Sequence, residues 1–492
     1  MRVQKLVAAL CCALAASLLT PAARAQAAGD TATLTLEEAV KLALRNNPEY
    51  QQVVDQRSPA AARVRSAYGA FVPNAGVNFS TGYRAAGDQT VNGFSGFTAG
   101  SDVIQSSYGV NLSYDLAVAT FVNPSLESAN LKATDEEILS AAALLRSAVT
   151  DRYLLVLVDE ANARIQDSLI TSNQVQVDLA QARLNAGSGT LLDLAKAKVG
   201  LGQQRIVAIR ANNQAQVDAY QLYQQLGVPK PRNVKLTTRI GVAAPGFTLD
   251  SVLKLAHQTN PALLALIQRN SAAEKGVTAT KGEFLPTLHV NAGWGGYGNE
   301  YTNSNYPVSA ATASYNQAIA DCSQTDSLRQ GVGMTGINCS AYIPPPDTAA
   351  IKSANSAFKY TKSPFQANAV LSLPIYDGLS RLTRVEQAKA FSNDAMYKVR
   401  SQELRLDADV TSAYLTLIAQ NQAVDLARDN VEQAKLQLTL AQEKYRVGSA
   451  TALELTDARD SYQRAEEDLL SAIFEFHRSF AALERAVGRP LR

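Results

Sequence analysis

The strongest constraint on this chain is that its sequence is written twice. Leu34-Thr35-Leu36-Glu37 returns as Phe247-Thr248-Leu249-Asp250, and Asn47-Pro48 as Asn260-Pro261. Gly69 with Phe71-Val72-Pro73 returns as Gly282 with Phe284-Leu285-Pro286, all at an offset of 213. Further on, Val149-Thr150 and Tyr153-Leu154 match Val410-Thr411 and Tyr414-Leu415, Gly187-Ser188 and Thr190 match Gly448-Ser449 and Thr451, and Gly227 and Pro229 match Gly488 and Pro490, at an offset of 261. Matched glycines and prolines separate a duplication from the chance likeness of Ala/Leu-rich helices. The offsets differ by 48, which places an insertion in copy two between residues 297 and 364.

The first residues read as an address. Arg2 and Lys5 precede the apolar run Leu6 to Leu19, and Ala23-Arg24-Ala25 is a small-x-small cleavage site, so residues 1–25 form a secretory signal. Cys11 and Cys12 lie inside it, and Ala8-Ala9-Leu10 is no lipoprotein box. Removal of the signal takes away three positive charges and leaves 43 against 44, so a basic nucleic-acid surface is excluded. Beyond residue 25 no run of eighteen apolar residues exists, so any membrane crossing must use strands. The three histidines, His257, His289 and His477, stand apart with no Cys or carboxylate spacing around them. No nucleophile–base pair, phosphate loop or metal spacing is present, which implies no catalytic residue, no metal and no cofactor.

Each copy has four parts. Thr35 with Glu38 is a capping box that opens a short helix, and Asn47-Pro48 ends it. A second helical stretch follows (49–70, and 262–283 in copy two), with Pro59 placed to kink the first. Two β segments alternate with period two: Val77, Phe79 and Tyr83; Tyr108, Val110, Leu112 and Tyr114; in copy two Leu288, Val290, Ala292 and Trp294; then Phe365, Ala367, Ala369, Leu371 and Leu373. Asn, Ser and Gly interleave on the other face. That pattern fits a barrel wall with lipid outside, and equally a half-buried soluble sheet.

The remaining part is a long helical hairpin. No proline lies between Pro124 and Pro229, nor between Pro374 and Pro490. Residues 125–185 rise about 90 Å before the turn at Ala186-Gly187-Ser188-Gly189, and residues 379–446 about 100 Å before the turn at 447–450. Helices of that length must pack along one another to bury their apolar stripes. The limb 190–227 is shorter and carries Gly200 and Gly202, which permit a bend or a close helix contact. Four strands cannot close a barrel, and an open edge is not viable in lipid. If the strands lie in a membrane, several chains must share one wall.

The duplicated layout, the signal, Pro374-Ile375-Tyr376-Asp377-Gly378 after the last strand, and the tip motif at Leu184–Thr190 and Tyr445–Thr451 resemble the TolC family of outer-membrane factors. The likeness covers the mature chain except the insertion. It implies a mostly α fold with a membrane β-barrel part: a homotrimer, four strands per chain in a twelve-stranded barrel, and a long periplasmic α-helical barrel. Such a protein is a non-catalytic exit duct in the Gram-negative outer membrane, serving a tripartite efflux pump or a type I secretion system. Its partners are outer-membrane lipid, a periplasmic adaptor and, indirectly, an inner-membrane pump. The division expected is a first repeat over 26–229 (β-hairpin about 74–116, helical hairpin about 124–227), a linker 230–246, and a second repeat over 247–492 (β-hairpin about 287–377, helical hairpin about 379–488).

The resemblance also assigns roles. Ala186, Gly187, Ser188, Gly189, Thr190, Val447, Gly448, Ser449, Ala450 and Thr451 form the tips that dock on the adaptor; small residues there let backbone approach backbone. Asp193, Tyr445, Glu454 and Asp457 line the periplasmic gate, with Tyr445 bonding Asp193. The sequence departs from the family at Ala450, where some members carry an arginine that holds the gate closed. The insertion, about 297–364, is expected as an extracellular loop. Its Cys322 and Cys339 either pair or remain free thiols; a bridge closing so short a loop contributes about 3 kcal/mol of chain entropy. The competing reading is an exported coiled-coil interaction protein with a soluble sheet.

Overall fold

The computed structural model describes residues 32–91, 94–99, 101–232, 234–237, 241–242, 244–361, 364–447 and 449–491; the signal at 1–25 and Gly448 lie outside them. In chain order the elements are β1 (Ala32–Leu34), α1 (Leu36–Asn46), α2 (Pro48–Asp55), α3 (Arg57–Gly69), β2 (Asn74–Arg84), β3 (Gly87–Val91), β4 (Phe94–Ala99), β5 (Val103–Leu116), α4 (Val118–Asn185) and α5 (Leu191–Leu226). There follow β6 (Val234–Leu236), α6 (Leu249–Thr259), α7 (Pro261–Lys281), β7 (Thr287–Tyr301), α8 (Tyr306–Gly331), α9 (Cys339–Tyr342), α10 (Thr348–Ala354), β8 (Gln366–Ser372), α11 (Ser380–Arg446) and α12 (Ala452–Val487). The two sequence copies are not the spatial units. One compact unit takes 32–53, 139–260 and 406–492, and the other takes 54–138 and 261–405, so each contains matching parts of both copies.

In the first unit the helical hairpins are held by a seven-residue register. On α4 the positions Val149, Val156, Ala163 and Val177 are buried; on α5 so are Leu194, Leu201, Ala208, Ala215 and Leu222. Val177, Leu194 and Leu201 pack in one cluster with Ile170, while Val149, Val156 and Leu222 join another with Tyr153 and Leu226. A strict seven-residue repeat imposes left-handed supercoiling, and each buried Leu or Val contributes about 1.5–3 kcal/mol. Gln204 Nε2 donates to Gln166 Oε1 at 2.8 Å and Arg152 to Gln221 at 2.7 Å across the same seam. Copy two buries the residues 261 positions on: Val410, Leu417, Val424, Leu455, Phe476 and Leu483.

The matched prolines, glycines and asparagines mark where each hairpin is tied off. Thr35 caps α1 through a reciprocal box with Glu38, and Asn47 stops the helix in an extended conformation. Buried Asn47 donates from Nδ2 to the Gln225 carbonyl at 2.9 Å, and buried Asn260 likewise to the Ala486 carbonyl at 2.8 Å. Both acceptors lie in the last turn of a descending helix, where carbonyls lack intrahelical donors. The Tyr153 hydroxyl reaches the Leu34 carbonyl at 2.7 Å, as Tyr414 reaches that of Phe247 at 3.4 Å. Gly227 closes α5 at φ +72°, and a Cβ there would stand 2.3 Å from the Asn46 carbonyl oxygen.

The second unit carries the sheet, in the order β2-β5-β7-β8, antiparallel throughout. β5 pairs with β7, so the hairpins of the two copies form one surface. Register places Val77, Val110 and Trp294 on one rung and Ala75, Leu112, Ala292 and Ala367 on the next. The opposite side carries Asn74, Ser113, Asn291 and Asn368, then Gly76, Asn111, Gly293 and Gln366. Asn111 donates to Asn78 at 2.8 Å, and Ser80 bonds Ser107 at 2.8 Å. Much of the apolar side is uncovered, with Val77 80% exposed, Phe79 60% and Leu371 69%; farther along the strands residues 357–361 lie over it, where Ser106 donates to the Ala357 carbonyl and Tyr360 meets Tyr108 edge-on. β2 and β8 have no strand partner on their outer edges among the described residues. After β8, Gly378 and Leu379 both adopt φ of +68°, and buried Arg381 donates to Asp377 (3.0 Å) and the Pro374 carbonyl (2.7 Å). The family-like stretch 374–378 is thus the strand-to-helix junction.

Several boundaries differ from the sequence reading. α4 starts at Val118, not near Pro124, which it carries inside at the loss of a single backbone bond. The stretch 49–70 is interrupted at Gln56, so Pro59 falls in the first turn of α3; the backbone bond it cannot donate would go to the Asp55 carbonyl, where α2 ends. Gly200 and Gly202 meet nothing within 4 Å of a built Cβ, so neither serves a close contact among the described residues. The insertion is not a plain loop: β7 runs on to Tyr301, and 26-residue α8 follows, bridged by Cys322 to Cys339.

Gly227→Ala is expected to lower the melting temperature followed by circular dichroism clearly more than Gly187→Ala. Both carry the left-handed penalty of about 1–2 kcal/mol, but only position 227 adds a collision. A second outcome concerns Asp159 on α4. Burial, with the hydrogen bond and charge of neighbouring Asp218, pushes its carboxyl up to about 7. The folded state therefore keeps a proton that the unfolded chain releases above about pH 4, and stability falls as pH rises from 4 to 7. Asp159→Asn should melt higher than the parent at pH 8, with the difference gone near pH 4.

Candidate functional site

The two hairpin tips are built alike. In the first, α4 ends at Asn185 and Gly187 turns the chain at φ +71°. The Ser188 and Gly189 amides both donate to the Arg183 carbonyl, at 2.9 and 3.0 Å, satisfying the helix end. Thr190 then caps α5. Its hydroxyl accepts from the Asp193 amide at 3.2 Å and donates to Asp193 Oδ2 at 2.6 Å. In the second tip the Ser449 amide and hydroxyl donate to the Lys444 carbonyl at 2.9 and 3.1 Å, and Thr451 caps α12 by accepting from the Glu454 amide at 3.2 Å. Ala186, Gly187, Ser188, Val447 and Ser449 are exposed, while Gly189 and Ala450 are half-buried.

The structure changes one expected bond. Tyr445 does not meet Asp193, because Asp193 is engaged by Thr190, whose hydroxyl and amide hold its carboxyl below the usual carboxylate range. The Tyr445 hydroxyl instead accepts from Arg183 Nη1 at 2.6 Å, and the Arg183 guanidinium carbon stands 4.4 Å from the ring centroid. One cation thus grips the phenol by its oxygen and its face. Arg459 on α12 is a second guanidinium within electrostatic reach of Tyr445; its Nε and Nη1 are shielded from water and take no acceptor, and burial pulls its pKa down. Glu454 and Asp457 are exposed one and two turns from the Thr451 cap, and neither joins an ion pair among the described residues.

Arg183 and Arg459 were invisible to motif reading. Arg183 stands in the last turn of a helix, where any basic residue is favoured by the helix dipole, and its counterpart 261 positions on is Lys444. Only proximity to Tyr445 distinguishes it. No group of three His, Cys, Asp or Glu side chains suited to a metal occurs among the described residues.

The chain thus pairs two hairpins with capped tips in one unit with a single four-stranded sheet in the other. The outer membrane efflux protein family matches residues 39–228 and 348–489, and the chain belongs to that family. The chain is similar to the outer membrane efflux protein BepC of Brucella suis biovar 1 (strain 1330), 24% identical over 330 residues, covering 66% of this chain and 59% of BepC. It thus spans under two thirds of BepC's length. To the outer membrane protein TolC of Escherichia coli (strain K12) it is 20% identical over 448 residues, covering 90% of this chain and 80% of TolC. The CmeC outer membrane channel of Campylobacter jejuni shares the fold at a TM-score of 0.70 and 14% identity, over 92% of this chain and 85% of CmeC. The mostly α fold with a small antiparallel sheet is that of TolC-like channels.

Removing the phenol oxygen or the guanidinium should loosen the tips. In Tyr445→Phe and Arg183→Ala, hydrogen exchange in the last turns of α4 and α11 is expected to speed up about five- to tenfold, with the double variant no faster than the worse single one.

Proposed function

We propose that this chain forms one third of a trimeric channel in the outer membrane, the passive exit duct of a tripartite efflux pump or a type I secretion system. The observation that carries this reading is the sheet. Four strands with outer edges unpaired among the described residues and a largely exposed apolar side are unstable alone in lipid, which supports closure by further copies joined edge to edge. A soluble sheet would leave that apolar side in water. A second feature supports self-association: besides its buried register, α5 exposes Leu192, Val199, Ile206 and Tyr220, again seven residues apart with Asn213 between. A second copy of the hairpin is the natural cover for a second stripe of the same period.

On this reading the tips 186–190 and 447–451 receive the hairpins of a periplasmic adaptor, which links the duct to an inner-membrane pump. The Arg183–Tyr445 contact takes the place of the arginine absent at position 450 and holds α11 against α4 in the closed gate. Asp193 serves by fixing the Thr190 cap, while Glu454 and Asp457 line the opening. Threefold repetition sets their charges around one axis and favours cations there.

Val199→Glu with Ile206→Glu is expected to shift the detergent-purified protein from trimer to monomer in light-scattering chromatography; an intact trimer would remove this stripe from the interface. In planar bilayers, Arg183→Ala with Tyr445→Phe should raise single-channel conductance, and Asp193→Ala alone should change it little. Parent-like conductance in the double variant excludes the contact as a latch.

A further inference from the structure

We propose that the cavity between α4, α5 and β6 is a binding site for a small organic anion with an apolar body. It lies wholly within the first unit, has a volume of about 490 Å³, and shares no residue with the hairpin tips. That volume is in the usual range for small-molecule pockets. Its floor is apolar, formed by Val156, Leu222 and Leu236, which are buried members of the core cluster.

The rim is cationic. Arg164, Lys230, Arg232 and Lys235 line it, and none of the four forms an ion pair among the described residues, although other arginines of the chain pair freely. Lys230 Nζ stands 5.1 Å from the Tyr220 ring centroid, a contact that steadies the ammonium without neutralising it. Two carboxylates share the rim. Asp167 receives a 3.3 Å hydrogen bond from Asn212. Glu160 is pushed up by burial while Arg164 and Lys230 pull it down, so the field of both cations reaches the cavity. Four positive groups against two negative ones leave an excess of two beside an apolar floor. Arg164, Arg232 and Lys235 are exposed and hydrated, so a neutral apolar solute would gain nothing from them, and a bare inorganic anion would leave the floor in water. An amphiphilic carboxylate satisfies both.

The test uses the full-length protein in lipid nanodiscs, with empty nanodiscs as the blank, titrated calorimetrically with sodium octanoate. Saturable binding at one site per chain is expected. The neutral octyl glucoside should bind at least about tenfold more weakly, and inorganic phosphate should not displace octanoate. Lys230→Gln with Arg232→Gln should weaken octanoate by about tenfold or more, and Ala219→Phe, which narrows the cavity, should do the same at an unchanged melting temperature. Absence of saturable binding, equal affinity for octyl glucoside, displacement by phosphate, or parent-like affinity in both variants would each overturn the assignment. None of these outcomes bears on conduction, so a failure here leaves the channel reading untouched.

Discussion

The seven-residue register between ascending and descending helices is what the rest of the first unit depends on. Val149, Val156 and Ala163 on one limb and Ala208, Ala215 and Leu222 on the other fix the supercoil, and the same spacing recurs in copy two. Once that register is set, the tips must fall at Gly187 and at residues 447–450, and the helix ends must fall at Gly227 and Gly488. The asparagine bonds to Gln225 and Ala486 then lock each short opening helix onto its hairpin. Residues far apart in the chain are conserved between the two copies because they meet at one joint.

The sheet obeys a different rule. Its order is set by the pairing of β5 with β7, which fuses the two copies, and by an alternation that keeps most apolar side chains on one side, Val103 and Val370 being exceptions. Glycines concentrate in β7, where a Cβ at Gly293 or Gly295 would stand 2.7 or 2.5 Å from a carbonyl oxygen of the neighbouring strand. Both lie on the polar side. A side chain at either position would meet the backbone of the neighbouring strand.

Most of this was legible in the sequence because it rests on period and punctuation. The alternation of Val77 and Phe79 with Asn78 and Ser80, the proline-free helices, and the caps at Thr35 and Thr190 are local signals with a physical cause. What escaped depends on distance in space. Nothing in the sequence tells Arg183 from any other basic residue at a helix end, and Asp193 looked free to bind Tyr445 until the capping box engaged it. α8 was missed because its Ala, Ser and Gln residues show no amphipathic stripe. The spatial units escaped for a topological reason: a duplicated chain suggests two consecutive domains, yet matching parts of both copies fold together.

The polar side of the sheet has one more implication. From Asn74, Ser113 and Asn291 up to Gly82, Gln105 and Asn299 it presents amides, hydroxyls, the Tyr297 phenol and bare glycine backbone, with charged side chains only at its two ends, Asp115 beside His289 at one and Arg84 at the other. A surface of neutral dipoles can hydrate a passing molecule of either sign without repelling it. If this side faces the duct proposed above, discrimination among solutes falls to other parts of their route, and the sheet serves as an indifferent vestibule.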